Sequence, residues 1–249
     1  MKKPNHYPSI KTASAEQHAC MVKEIFATIP ARYDSLNHIL SLRRDVMWRR
    51  FAVNRICLFR TNRFLDVATG TADLAVEAAL RYLDARVVGL DLTGEMMALG
   101  KKKVEGKNLS ARIRFVKGDA LALPFFSDTF DAAGIAFGIR NVPRKVQALE
   151  EMKRVIVPGG QLLILEMTLP ERPLFQRAFH LYMKRVALLL ARAFSPNPGA
   201  YAYLADSITH FPPARRFTAL MAEAGLRHVK AYPLTLGMTH LFIGHKPLR

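Results

Sequence analysis

Phe64-Leu65-Asp66-Val67-Ala68-Thr69-Gly70-Thr71-Ala72-Asp73-Leu74 is the stretch whose reading decides the fold. An apolar run ends in an acid, turns through small side chains at positions 68, 70 and 72, and enters a helical pattern. Small side chains at such a turn let a ligand approach backbone N–H groups, and the helix start adds partial positive charge. The turn suits a nucleotide-type ligand, with Asp66 and Gly70 as candidate binding residues. It is not the dinucleotide fingerprint, because Gly-x-Gly-x-x-Gly is absent and Ala68 and Ala72 occupy two of the small positions. Taken alone, it reads equally well as an ordinary tight strand-to-helix turn.

The sequence on either side decides between the two. Val87 to Leu90, Ile113 to Val116, Ala132 to Ala136 and Leu162 to Leu165 are short apolar runs alternating with helical segments. That alternation predicts a doubly wound α/β fold, a parallel sheet with crossover helices. Asp91 closes the second run, where it is placed to accept hydrogen bonds from ribose hydroxyls. A helix cap is the rival reading, with Thr93 a competing cap. Asp119 follows the third run and is placed to accept from an adenine amino group, or to act as a turn residue after Gly118. Asp66, Asp91 and Asp119 together stand at the carboxyl ends of successive strands, where ligands bind in open α/β sheets. Val157-Pro158-Gly159-Gly160 reads as a turn leading into the next strand.

Helices are predicted ahead of the sheet, over Glu16 to Ile29 and about Asp45 to Leu58. Beyond Glu166 the pattern predicts a helical insertion, Leu174 to Phe194, and a loop over Ser195-Pro196-Asn197-Pro198-Gly199. A helix over Ala214 to Ala224, ended by Gly225, precedes strands near His228 to Tyr232 and Thr239 to Ile243. The expected organisation is one domain over 1–249, with a helical region (1–62), a cofactor-binding core (63–166), and the insertion with the C-terminal strands (167–249).

Cys20 and Cys57 form no ligand or disulfide framework, which fits a reducing cytoplasm and no structural zinc. Pro4 and Pro8 interrupt the stretch that a signal peptide would need to be apolar. The longest uninterrupted apolar run, Val186 to Ala191, is far short of the ~18 residues that span a bilayer. A net charge of +17 draws the chain toward anionic surfaces without naming one. Its cationic pairs are spread along the chain without aromatic interleaving, so nucleic acid is not an expected partner.

The Asp66 turn and the Pro158-Gly159 turn, in this order, resemble the class I methyltransferase fold. That resemblance implies S-adenosylmethionine as cofactor and a seven-stranded Rossmann-like sheet whose last strand, Thr239 to Ile243, is antiparallel. Phe137-Gly138-Ile139-Arg140-Asn141-Val142, Arg32-Tyr33-Asp34-Ser35-Leu36-Asn37 and Tyr203-Leu204-Ala205-Asp206-Ser207-Ile208 narrow it. These motifs resemble the quinone-ring C-methyltransferases of menaquinone and ubiquinone biosynthesis. The resemblance implies cofactor contacts at Thr71, Asp91, Asp119 and Ala120 and an isoprenoid quinol as methyl acceptor. Two positions depart from the family: Ala136 replaces a serine, and Phe242 stands where the family has histidine. Asp45-x-x-Trp48-Arg49 resembles the menaquinone-making members, and also reads plainly as a core anchor with an i,i+4 surface pair.

The activity implied is methylation of demethylmenaquinol. A dual ubiquinone/menaquinone enzyme and a non-catalytic protein on the same scaffold are the alternatives. A sulfonium methyl is already activated, so no metal is needed. A quinol ring becomes nucleophilic at carbon once a hydroxyl is deprotonated; an arginine favours that phenolate but, always charged, is a poor base. Arg140 is therefore assigned to the phenolate, Asn141 and Tyr33 to positioning the ring, and Asp206 to orienting a base or water. Loop-carbonyl contacts for Arg140 and Asn141, and packing for Tyr33, are the plain alternatives. Residues 174–194 interleave apolar and basic side chains, which suits either a cover helix or peripheral contact with the inner face of an anionic membrane. Self-association is left open.

Overall fold

The structure is a computed structural model that describes residues 15–28, 34, 37–39, 41–182, 185 and 198–248. Seven strands form one sheet: β1 (Arg63–Val67), β2 (Arg86–Asp91), β3 (Ile113–Lys117), β4 (Phe130–Ala136), β5 (Ile156–Met167), β6 (Arg227–Leu234) and β7 (Thr239–His245). Their order is β3-β2-β1-β4-β5-β7-β6. The first five are parallel, and β7 runs antiparallel between β5 and β6. This is the predicted doubly wound sheet, with the antiparallel strand where it was expected. β4 is covered on both faces, which is why Ala132 to Ala136 read as an unbroken apolar run and not an alternating one.

The helices are α1 (Ala15–Thr28), α2 (Arg44–Val53), α3 (Asp73–Arg81), α4 (Gly94–Glu105), α5 (Lys145–Val155), α6 (Pro173–Leu181), α7 (Pro198–Thr209) and α8 (Ala214–Glu223). One face of the sheet packs Leu65, Ile135 and Phe242 against Leu149 and Met152 of α5 and Phe217 of α8. The other packs Phe64, Val87 and Leu163 against Trp48 and Val53 of α2 and Ala75 and Ala78 of α3. Phe64, Phe217 and Phe242 are fully buried, each contributing roughly 1.5–3 kcal/mol of transfer free energy.

Three local expectations change, one of them the turn predicted over residues 157–160, which is drawn into β5 with Gly159 at φ +78°. The helix predicted over residues 45–58 stops at Val53. The chain then folds around the buried Asp131 of β4, whose carboxylate accepts from the backbone N–H groups of Phe59, Arg60, Thr61 and Asn62. Pro198 and Gly199, predicted to be loop, open α7; proline is tolerated in a helix's first turn because its missing N–H is unpaired there anyway. Of the predicted helix at 174–194, Pro173–Leu181 is helical, and residues 183, 184 and 186–197 lie outside the described residues. Gly225, at φ +84°, ends α8 as predicted.

Candidate active site

The order of the sheet reverses at β1, which has β2 on one side and β4 on the other, and crevices open at the carboxyl ends of strands on either side of such a point. Asp66 ends the apolar run there, 1% exposed, and its Oδ2 accepts from Thr69 Oγ1 and from the Ala75 N–H at 3.0 Å. One acid thus braces both the turn and the start of α3. Ala68, Gly70 and Ala72 have φ of 52°, 54° and 67°, so the small residues at alternate positions are the ones that enter the left-handed region. Larger side chains at these φ values would add steric cost, and the alternation turns backbone N–H groups into a concave cradle.

Asp91 bonds to that cradle: Oδ2 accepts from the Gly70 N–H and Oδ1 from the Thr93 N–H, both at 2.8 Å. Thr93 makes no capping bond with its side chain, so the acceptor at that helix start is Asp91. Burial pushes the Asp91 carboxyl up, against the hydrogen bonds of Thr93 and Gly70. Burial also pushes Asp66 up, to about 7, with the neighbouring Asp91 charge adding to it. Asp119 is exposed, and its Oδ1 accepts from the Leu121 N–H at 2.9 Å, so the turn reading of this residue is realised.

Gly70, Asp91, Asp119 and Ala120 line one cavity, in the concave, largely apolar setting typical of small-molecule sites. Its other walls include Leu92, Met96, Leu121 and Val142. Apolar walls with two carboxylates that only accept hydrogen bonds suit the flat adenine, its amino group and a ribose diol. The residues present therefore fit S-adenosylmethionine.

A second cavity adjoins the first, with Ala68, Gly70, Ala136 and Phe137 lining both. Asp66 and Thr71 open into this one, so the six predicted cofactor residues divide between the two cavities, with Gly70 at their junction. Thr71 Oγ1 donates to Asp34 Oδ1 at 2.6 Å, and Lys103 Nζ donates to Asp34 Oδ2 at 2.7 Å. Trp48, Phe137, Met167, Tyr182 and Leu204 give the second cavity apolar and aromatic walls.

Arg140 lines the second cavity and is almost fully buried. Its Nη1 donates to Glu166 Oε1 and to the Phe137 carbonyl, both at 2.6 Å. The loop-carbonyl alternative for Arg140 is thus part of the picture. Asn141 lines the first cavity, and its Oδ1 accepts from the Tyr203 hydroxyl at 2.9 Å. Burial pushes the Tyr203 phenol above its ordinary range, so it remains a neutral donor. Asp206 lines neither cavity and pairs with His210 Nδ1 at 3.0 Å. Tyr33 lies outside the described residues.

Asp45, Trp48 and Arg49 are not a surface set. Arg49 Nη1 lies 2.6 Å from Asp45, its Nη2 3.4 Å from Asp73, and its guanidinium 5.4 Å from the Phe137 ring. Burial alone would raise the Asp45 carboxyl, but the Ser41 hydrogen bond and the Arg49 charge hold it below the usual range. His38, Asp45 and Asp73 bring potential metal-ligand atoms within 4.8 Å of one another, and the Arg49 cation already bridges the two carboxylates. Trp48 is a core anchor, as its plain reading had it, and donates through Nε1 to Thr235 Oγ1 at 2.9 Å.

Glu166, Tyr203 and Arg49 are site residues not assigned from sequence. Glu166 carried the same signal as Asp66 and Asp91, an acid closing an apolar strand run, and Tyr203 heads a quoted motif. At the two departures, Ala136 faces both cavities, while Phe242 is buried in the core with His240 stacked on it at 5.6 Å. His240 bonds Thr168 Oγ1 at 2.7 Å, away from either cavity.

Comparison with known proteins bears on this geometry. The sequence pattern of the ubiE/COQ5 methyltransferase family matches residues 11–246. A ubiquinone/menaquinone biosynthesis C-methyltransferase of Geotalea daltonii is 42% identical over 226 residues, 90% of this chain and 96% of its own length. A demethylmenaquinone methyltransferase of Thermus thermophilus is 41% identical over 223 residues, 90% of this chain and 100% of its own. A solved SAM-dependent methyltransferase from Aquifex aeolicus shares the fold at TM-score 0.60 and 17% identity, covering 86% of this chain and 97% of its own. Matched along nearly its whole length, and built on the methyltransferase sheet, the chain belongs to the ubiE/COQ5 methyltransferase family and is an S-adenosylmethionine-dependent methyltransferase.

Proposed function

We propose that this chain, acting as one domain, methylates a ring carbon of demethylmenaquinol to give menaquinol. The observation that carries the reading is the second cavity: apolar and aromatic side chains on its walls, Arg49 and Arg140 as its cationic side chains, and a shared wall with the cofactor cavity. Bound S-adenosylmethionine supplies a sulfonium-activated methyl group. Gly70, Thr71, Asp91, Asp119 and Ala120 bind it in this reading, with Asp66 holding the turn in shape.

Arg140 favours the phenolate of the acceptor. Glu166 is fully buried and does not line the cavity, so the ion pair presents its positive end to the ring and its negative end to the core. A charge opposite a phenol lowers its pKa and raises the electron density at the ring carbon. Asn141, fixed by Tyr203 on the cofactor side of the shared wall, and Tyr33 position the ring for attack on the methyl group. Asp206 acts indirectly, by orienting His210 or a water for the departing proton. Among the described residues no helix is long and apolar enough to cross a membrane. α6 exposes Leu174 and Leu181, which supports peripheral contact at the inner face of an anionic membrane, where the acceptor's isoprenoid tail resides.

A second reading, dual action on ubiquinone and menaquinone precursors, is favoured by the name of the Geotalea daltonii relative. Side-by-side kcat/KM values for short-tail demethylmenaquinol and the benzoquinol precursor decide it. A preference of roughly tenfold or more for the naphthoquinol supports the proposal, comparable rates support the dual reading, and activity on neither contradicts both.

A further inference from the structure

A third cavity opens on the edge of the sheet, lined by Arg55, Gln161, His228, Lys230, Tyr232 and His245. Gln161 and His245 are paired at the amino-terminal half of β5, roughly 20 Å along that strand from Met167 at the second cavity. The methyltransferase reaction makes no use of it.

Every charged or titratable group in this lining, the Tyr232 phenol apart, is basic. None of the ion pairs among the described residues involves Arg55, His228, Lys230 or His245. Arg55 is held in place by its guanidinium, 3.4 Å from the Phe51 ring centre and 5.3 Å from that of Tyr232, with Nη1 donating to the Phe51 carbonyl. Its remaining N–H donors keep the planar fork that matches oxyanions.

The neighbouring hydrogen bonds fix the His245 tautomer. Gln161 Oε1 accepts from the Cys57 N–H at 2.7 Å, which turns its amide so that Nε2 donates to His245 Nε2 at 3.3 Å. The neutral imidazole then carries its proton on Nδ1. That atom is buried and has no hydrogen-bond partner in the structure. A buried donor without an acceptor costs free energy, and no carboxylate lines this cavity to satisfy its basic groups.

We propose that this cavity is a binding site for a phosphate-type oxyanion, held by Arg55, His228, Lys230 and His245. An anion there offsets the present repulsion. Burial, and then the charges of His228 and Lys230, hold His245 below the ordinary histidine range. The charged groups facing it from β6 are Arg227, His228 and Lys230, and from the end of α2 Arg55, all basic.

The test is a titration of the full-length, histidine-labelled protein with inorganic phosphate, followed by NMR of the His228 and His245 rings. Saturating S-adenosylhomocysteine keeps phosphate out of the first cavity, and chloride holds ionic strength constant. The expected result is saturable shifts at both rings and a His245 pKa raised by roughly one unit, with affinity falling about tenfold in Arg55→Gln with Lys230→Gln. A parallel arm replaces phosphate with vesicles of phosphatidylglycerol or phosphatidylcholine. Shifts with the anionic vesicles alone, lost in the double variant, identify a lipid headgroup as the source of the oxyanion. No shift in either arm, or shifts that the double variant retains, overturns the proposal.

Discussion

Asp66 holds the cofactor turn from a position almost closed to solvent, and its titration follows from that. Its pKa in the folded protein is about 7, against an ordinary 3.8, so the folded chain keeps a proton that the unfolded chain releases. The stability this contributes is fully present below the unfolded value and is lost as pH rises through about 7. Asp66→Asn removes the titration at constant shape. The melting temperature of the variant minus that of the parent is expected to rise from about pH 5 to about pH 8; a difference that stays flat contradicts it. Arg140 is tested at the same scale. Arg140→Ala leaves Glu166 as an unpaired buried charge, at about 3–5 kcal/mol, so loss of activity in it would not separate folding from chemistry. Arg140→Lys keeps the charge but not the two-sided geometry. It is expected to lower kcat by roughly 10²-fold or more while S-adenosylhomocysteine affinity by calorimetry changes less than about twofold. Parental turnover in that variant would remove Arg140 from the chemistry.

At the scale of elements, the β1–α3 turn was legible because its requirement is local. Only small side chains suit three left-handed residues at alternate positions, and the sequence writes Ala68, Gly70 and Ala72 there. An alanine Cβ at Gly70 has room, the nearest atom being Met96 Cε at 3.5 Å, so Gly70→Ala tests backbone strain and not a clash. It is expected to cost about 1–2 kcal/mol in chemical denaturation and to weaken cofactor binding. What the sequence did not disclose depends on distant partners. Asp131 sits within an apolar strand with no local sign that it collects four N–H groups from residues 59–62. Trp48 meets Thr235 across 187 positions, and Tyr203 meets Asn141 across 62. Periodicity identifies each element but not which of them close the second cavity.

Across the whole molecule, one ligand-binding cavity was read from strand-end acids, while the second exists only once α2, the Phe137 loop and residues near Tyr182 and Leu204 are assembled. Its occupant connects to the molecule's charge. With a net +17 and exposed Leu174 and Leu181, the chain is expected to float with phosphatidylglycerol vesicles and to release as salt shortens electrostatic reach. Leu174→Ser with Leu181→Ser should weaken flotation at low salt; unchanged flotation would place the contact elsewhere. The central claim is that a sulfonium methyl in one cavity meets a quinol carbon in the other across the wall shared by Ala68, Gly70, Ala136 and Phe137. The direct measurement is a turnover with methyl-labelled S-adenosylmethionine and short-tail demethylmenaquinol, with mass spectrometry locating the label in the product. The account predicts the label on the ring carbon, as menaquinol. Label on a quinol oxygen, or no labelled quinol from protein that binds the cofactor, would contradict it.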